Sequence, residues 1–188
     1  MTRPDRATLH AALRAKGHTL FTSAKGYDLN IVAVRSRETE AGAFDDWLTL
    51  SWRAGADWQY LAFPVTTDPG QHYLDHPVHP KGTATLIPGQ YRSAYRIAKH
   101  KGRYDALCQR PGCAMPVWRG GVRHEDGTGL NIHRAAASGT TQTVGRWSAG
   151  CTVFADADDF ALFMSVCRIA ARIWGNAFSY TLLEEGDL

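Results

Sequence analysis

No apolar run in the 188-residue chain approaches the roughly 20 residues that a membrane-spanning helix needs, so no membrane partner is expected. The first 16 residues carry arginines and an acid but no apolar stretch of the kind a signal peptide requires. The expectation is synthesis in the cytoplasm without a signal peptide. Any substrate outside would be reached after lysis or by dedicated delivery. Charge of one sign is also scarce: 21 Lys and Arg against 18 Asp and Glu leave a net +3, scattered rather than gathered into runs. Such a surface gives little purchase on a polyanion, and no nucleic-acid partner is expected. Internal repeats, low-complexity tracts and linker-like stretches are missing, which argues a single domain over 1–188.

Cysteine is sparse too, at four residues, too few for a disulfide scaffold. Cys108 and Cys113 bracket Gln109-Arg110-Pro111-Gly112, a turn that could close a disulfide or present half of a metal clamp. A second Cys/His pair at metal spacing is lacking, so neither zinc nor another cofactor is expected. His72, His76 and His79 could meet a metal only if their segment were helical, which Pro77 and Pro80 discourage. Cys167 falls in an apolar helical pattern and reads as a small buried hydrophobe. Cys151 remains.

What is present is a succession of short apolar runs at 30–35, 47–52, 58–64, 83–88, 93–99, 106–109 and 116–119, broken by Gly, Pro and Asp. This is a mostly β pattern. Residues 66–70 read as a turn and 77–82 as an irregular loop. Helices are expected at the two ends: a short one over 5–16 stopped by Gly17, and a long amphipathic one capped by Asp156. The second carries Phe160, Phe163, Met164, Cys167, Ile169, Ala170, Ile173 and Trp174 at helical spacing and ends at Gly175. A last strand covers 177–183.

Chemistry concentrates in two segments. In Gly129-Leu130-Asn131-Ile132-His133, alternation puts Leu130 and Ile132 on one face and Asn131 with His133 on the other. After a Ser/Thr/Gly-rich loop comes Ser148-Ala149-Gly150-Cys151-Thr152-Val153-Phe154. That loop lets the two strands lie together. A thiol is a poor nucleophile until it loses its proton, and an imidazole within reach would take it and later protonate a departing amine. Small residues at Ala149 and Gly150 leave room for a carbonyl beside the sulfur, and backbone N–H groups there could serve an oxyanion. On spacing alone, a Cys leading into Thr-Val-Phe is more often a buried strand residue, and a single His more often core or surface.

These residues resemble the catalytic domain of L,D-transpeptidases, in which a His is followed, after a loop of similar length, by Ser or Thr, any residue, then Gly-Cys. Here those positions are His133, Ser148, Gly150 and Cys151. The resemblance covers 129–154. It implies an α+β, mostly β fold, a β-sandwich with a short N-terminal and a long C-terminal helix. It also implies Cys151 as nucleophile, His133 as base, and Ser148, Ala149 and Gly150 shaping the turn and oxyanion hole. The partners would be peptidoglycan stem peptides, cleaved or transferred at an L-to-D junction through a thioester on Cys151. Two positions depart from the family: Arg134 stands where Gly usually follows the His, and Val153 where Arg commonly stands two residues beyond the Cys.

The stretches Phe44-Asp45-Asp46, 66–70, Pro88-Gly89-Gln90-Tyr91 and His100-Lys101-Gly102 are similar to small phage and prophage proteins ending in the same Ser-Ala-Gly-Cys segment, which implies a lytic or wall-remodelling setting. Asn131, Arg134, Arg146 and His100 are candidate contacts for substrate carboxylates, with solvated charge as the alternative for the arginines and a surface pair with Lys101 for His100. Trp118, Trp147 and Tyr91 could line a groove or belong to the core. The competing function is a non-catalytic wall-binding or phage structural protein that keeps the fold, for which Arg134 and Val153 speak. A papain-like arrangement would place the Cys before the His, the reverse of this order.

Overall fold

The first apolar periodicity becomes helix α1 (Arg6–Ala15) in the computed structural model, which describes residues 1–37 and 42–188. Asp5 accepts from the N–H groups of Ala7 at 2.8 Å and Thr8 at 3.0 Å, satisfying donors that the first turn leaves without helical partners. The chain then runs through β1 (Asn30–Arg35), β2 (Asp46–Ala54), β3 (Asp57–Thr66), α2 (Gln71–Asp75), β4 (Thr85–Leu86), β5 (Gly89–His100), β6 (Tyr104–Gln109) and β7 (Met115–Arg119). It continues through β8 (Val122–Gly127), β9 (Ile132–Arg134), β10 (Thr152–Phe154), α3 (Ala157–Trp174) and β11 (Phe178–Glu184).

Eight strands close into a barrel in the order β1-β11-β5-β6-β9-β10-β3-β2, and β4, β7 and β8 form a separate three-stranded sheet. The protein is therefore mostly β, but the expected sandwich is replaced by a closed barrel. The reason lies at β1, which pairs antiparallel with β2 on one side and parallel with β11 on the other. A strand that would have ended a layer has partners along both edges, and closure removes the exposed edge.

Both faces of β1 are buried. Ile31 and Ala33 join a main core with Leu48, Leu50, Phe63 and Val65, while Val32 and Val34 pack under Leu9, Ala12 and Leu13 of α1. Helix α3, capped by Asp156 through the N–H groups of Asp158 and Asp159, adds Phe160, Phe163, Met164, Cys167 and Ala170 to the main core. Phe163 is fully buried, with its ring 5.0 Å from that of Phe154 and 6.4 Å from that of Phe63.

Two segments differ from the composition-based reading. Residues 71–75 form a short helix where a loop was expected; it ends before Pro77, since a proline disfavours helical backbone in the residue it follows. Strand β8 went unmarked because its Val-Arg-His-Glu-Asp-Gly sequence is polar; it forms by hairpin pairing with β7 across Gly120 and Gly121, both with positive φ. Among the described residues no helix is long and apolar enough to cross a membrane.

Phe163→Ala should cost about 3–5 kcal/mol in urea unfolding, as expected when a core aromatic is truncated. A loss below about 1 kcal/mol would mean that α3 does not seal this core.

Candidate active site

The parallel ladder between β9 and β10 sets Thr152 opposite Ile132 and Val153 opposite His133, and the Thr152 N–H donates to the Asn131 carbonyl at 3.0 Å. Cys151 thereby comes level with Asn131. Ile132 turns into the main core, and the Thr152 hydroxyl meets the Tyr180 hydroxyl at 3.0 Å. Alternation leaves Asn131, His133, Cys151 and Val153 on the opposite face, where Cys151 and Val153 pack with Ala135 and Phe44. Cys151 and His133 are thus diagonal neighbours, one strand over and two residues along.

The turn before the cysteine is held by Ser148, which is fully buried: its hydroxyl donates to the Cys151 carbonyl at 2.9 Å and accepts from the Gly150 N–H at 3.1 Å. Gly150 has φ 115°, and a Cβ there would lie 2.2 Å from the Ala84 carbonyl oxygen. Only glycine fits this approach. The Gly150 N–H is engaged by Ser148 and is not free to donate to a ligand at this turn. Behind it, the Gly70 N–H donates to the Ser148 carbonyl at 2.9 Å. The 66–70 turn is itself fixed by Asp46, which accepts from the Thr67 N–H and hydroxyl, and by Arg35, which pairs with Asp68 at 3.1 Å.

His133 Nδ1 lies 2.8 Å from the Arg134 carbonyl oxygen. A carbonyl only accepts, so in the neutral ring Nδ1 carries the proton and Nε2 is the bare nitrogen. The Tyr104 hydroxyl donates to the same carbonyl at 3.3 Å, and the Arg134 guanidinium lies over the Tyr104 ring at 4.5 Å. On its other side His133 stacks on His100 with centroids 4.3 Å apart. The Asn131 amide donates to His100 Nδ1 at 3.3 Å and accepts from the Gln109 N–H at 2.9 Å.

Burial pushes His133 down to about 4, outweighing the Arg134 carbonyl bond that favours the charged ring. Burial likewise pushes the Cys151 thiol up to about 11. At neutral pH both groups are uncharged. The thiol donates to the Gly129 carbonyl at 3.5 Å and accepts from the Asn131 N–H at 3.4 Å; no hydrogen bond joins it to His133.

Cys151 opens on a pocket of about 290 Å³ lined by Val78, His79, Ala84, Arg119, Leu130 and Ala149 among others. None of the four candidate carboxylate contacts lines it. His100 is buried behind His133, which overturns its reading as a surface pair with Lys101. Arg134 is folded over Tyr104 and lines a separate groove with Arg168, and Arg146 is exposed beside His72. Asn131 orients His100 instead of facing the pocket. Tyr91 packs on the core, while Trp118 and Trp147 are exposed.

Sequence reasoning missed Arg119 and Tyr104. Arg119 sat at the end of an unremarkable strand run, and nothing local marked either residue. Cys108 and Cys113 are free thiols, so the bracketed turn is not closed by a disulfide. His72 and His76 stack at 5.0 Å, but among the described residues no group of three or more His, Cys, Asp and Glu is placed to hold a metal ion. No protein-family model, curated protein or solved structure matches the chain.

Gly150→Ala should lower stability by about 1–3 kcal/mol from backbone strain, with the Ala84 contact added. An unchanged melting temperature would contradict the close approach. Because only the thiolate reacts, iodoacetamide labelling of Cys151 should still be climbing close to tenfold per pH unit at about pH 9–10. A rate that levels off near neutrality, read by peptide mass mapping, would show a thiol that is already ionised.

Proposed function

We propose that the chain is a peptidoglycan-active cysteine enzyme, a divergent form of the L,D-transpeptidase catalytic fold, with Cys151 as nucleophile and His133 as base. The observation that carries this reading is the shared face: a thiol opening on a pocket, with an imidazole on the adjacent strand whose tautomer leaves Nε2 free.

Burial pushes the thiol up and the imidazole down, and both shifts disfavour a resting thiolate–imidazolium pair. Proton transfer concerted with attack avoids that charge separation. A stem-peptide carbonyl beside an L-to-D junction enters the pocket, and the Cys151 thiol leaves the Gly129 carbonyl and turns to His133 Nε2. Sγ bonds to the carbonyl carbon as its proton passes to Nε2, and the negative oxygen meets the N–H groups of Ala149 and Cys151. The C–N bond breaks, the amine takes the proton from His133, and a thioester remains on Cys151. Water resolves it in hydrolysis, with His133 again as base; a second stem amine resolves it in transpeptidation.

A second reading, a non-catalytic wall-binding or phage structural protein, is favoured by one observation: the thiol's hydrogen bonds go to Gly129 and Asn131 and not to His133.

Incubation with defined tetrapeptide muropeptides and mass spectrometry separates the two. The enzyme reading predicts a cleaved or exchanged product, its loss in Cys151→Ala, and a fall in kcat of about 10²–10⁴ in His133→Ala. Absence of product leaves the binding protein, and equal product from Cys151→Ala removes Cys151 as the nucleophile.

A further inference from the structure

Arg35 on β1 of the barrel and Arg119 on β7 of the three-stranded sheet both have side chains about nine-tenths buried, and they differ in what they bond. Arg35 is satisfied: Nε donates to the Thr67 hydroxyl, NH1 to the Leu86 carbonyl and NH2 to the Thr67 carbonyl, each at 3.0 Å, and Asp68 stands beside it. It holds a turn in place. Arg119, at the end of β7, has a side chain only 10% exposed and donates through NH1 to the Gly82 carbonyl at 2.9 Å. Its Nε is buried without a hydrogen-bond partner, and the mostly exposed Asp126 carboxylate stands 3.9 Å away, beyond hydrogen-bond reach. A guanidinium taken from water and left one donor short is costly to keep unless something visits it.

The setting says what would. Arg119 lines the same pocket as Cys151, and no carboxylate lines it with them. His79 also lines it, and its Nδ1 accepts from the Lys81 N–H at 3.1 Å, so the neutral ring carries its proton on Nε2 as a donor. The remaining walls include Val78, Ala84, Leu130 and Ala149. With NH1 tied to Gly82 and Nε shut away from solvent, NH2 is the guanidinium nitrogen left for a ligand, and its charged N–H favours a carboxylate oxygen.

Building on the acyl-transfer reading of Cys151, we infer that Arg119 is a specificity-determining residue. It anchors a free carboxylate of the acyl donor beside the scissile bond, so that the pocket takes anionic peptide ends in preference to neutral ones. Two carboxylates of a stem peptide could supply that group: the terminal carboxylate of the departing residue, or the side-chain carboxylate of a diamino diacid next to it.

Charge-matched reagents test this without any peptide. Cys151 is alkylated with iodoacetate and with iodoacetamide at one pH, the adduct located by peptide mapping so that Cys108 and Cys113 do not contribute, in the native protein, Arg119→Lys and Arg119→Gln. The rate ratio of acid to amide should fall about tenfold in Arg119→Gln, the loss of one charge-assisted bond. Arg119→Lys should retain most of it, which also separates lost charge from misfolding. A ratio equal in all three proteins overturns the proposal even if muropeptides are turned over. With peptide donors, Arg119→Gln should raise KM for the donor with the relevant carboxylate free and leave the amidated donor unchanged. Amidating the terminal or the side-chain carboxylate separately identifies which one binds. A ratio that falls while no muropeptide reacts keeps the carboxylate site and removes the peptidoglycan reading.

Discussion

The parallel pairing of β9 and β10 is the constraint from which the site follows. Parallel strands cannot be joined by a tight turn, so the chain must leave β9 at Arg134 and return at Thr152 through a long connection. That connection carries Ser148, Ala149 and Gly150, and the ladder delivers Cys151 level with Asn131, on the face that His133 shares. A shift of one residue would put Ile132 and Thr152 on that face and bury the thiol in the main core. The register is held from inside, where Ile132, Phe154 and Tyr180 fill the barrel, and from behind, where Gly70 meets Ser148. Packing and chemistry therefore depend on the same few hydrogen bonds.

Burial then sets the electrostatics. His133 lies between the His100 ring and the Arg134 carbonyl, and Cys151 at the floor of a small pocket, so each is held in its neutral form. In the proposed mechanism, a neutral imidazole with a fixed tautomer suits a thiol that ionises only as it reacts. The supporting layer is made of ordinary parts: Asn131 is oriented by the Gln109 backbone, and Gln109 itself donates to the Cys113 carbonyl at 2.6 Å and the Gly127 carbonyl at 2.9 Å. That side chain ties the barrel to the three-stranded sheet, the sheet that brings Arg119 to the pocket.

Elements governed by local chemistry were legible in the sequence. The run at 30–35 is β1 to the residue, and the Asp156 cap and Gly175 stop bound α3 as read. Alternation placed Asn131 and His133 on one face because side-chain direction in a strand needs no tertiary information. What was not legible depends on partners far along the chain. Closure rests on β1 pairing with β11, roughly 150 positions away, and periodicity within either strand cannot say that the two meet. His100 read as a surface residue beside Lys101 because its stacking partner lies more than 30 positions on. Arg119 gave no signal at all: its importance comes from a pocket assembled by four separated segments.

The central claim is that Cys151 carries an acyl group during turnover. Rapid acid quenching of the native protein with a stem-peptide donor, followed by peptide mapping, tests it directly. The account predicts a thioester of the donor's acyl portion on the peptide containing Cys151, accumulating before product and missing in Cys151→Ser. Turnover with an unmodified Cys151 at every time point, or an acyl group on another residue, would contradict it.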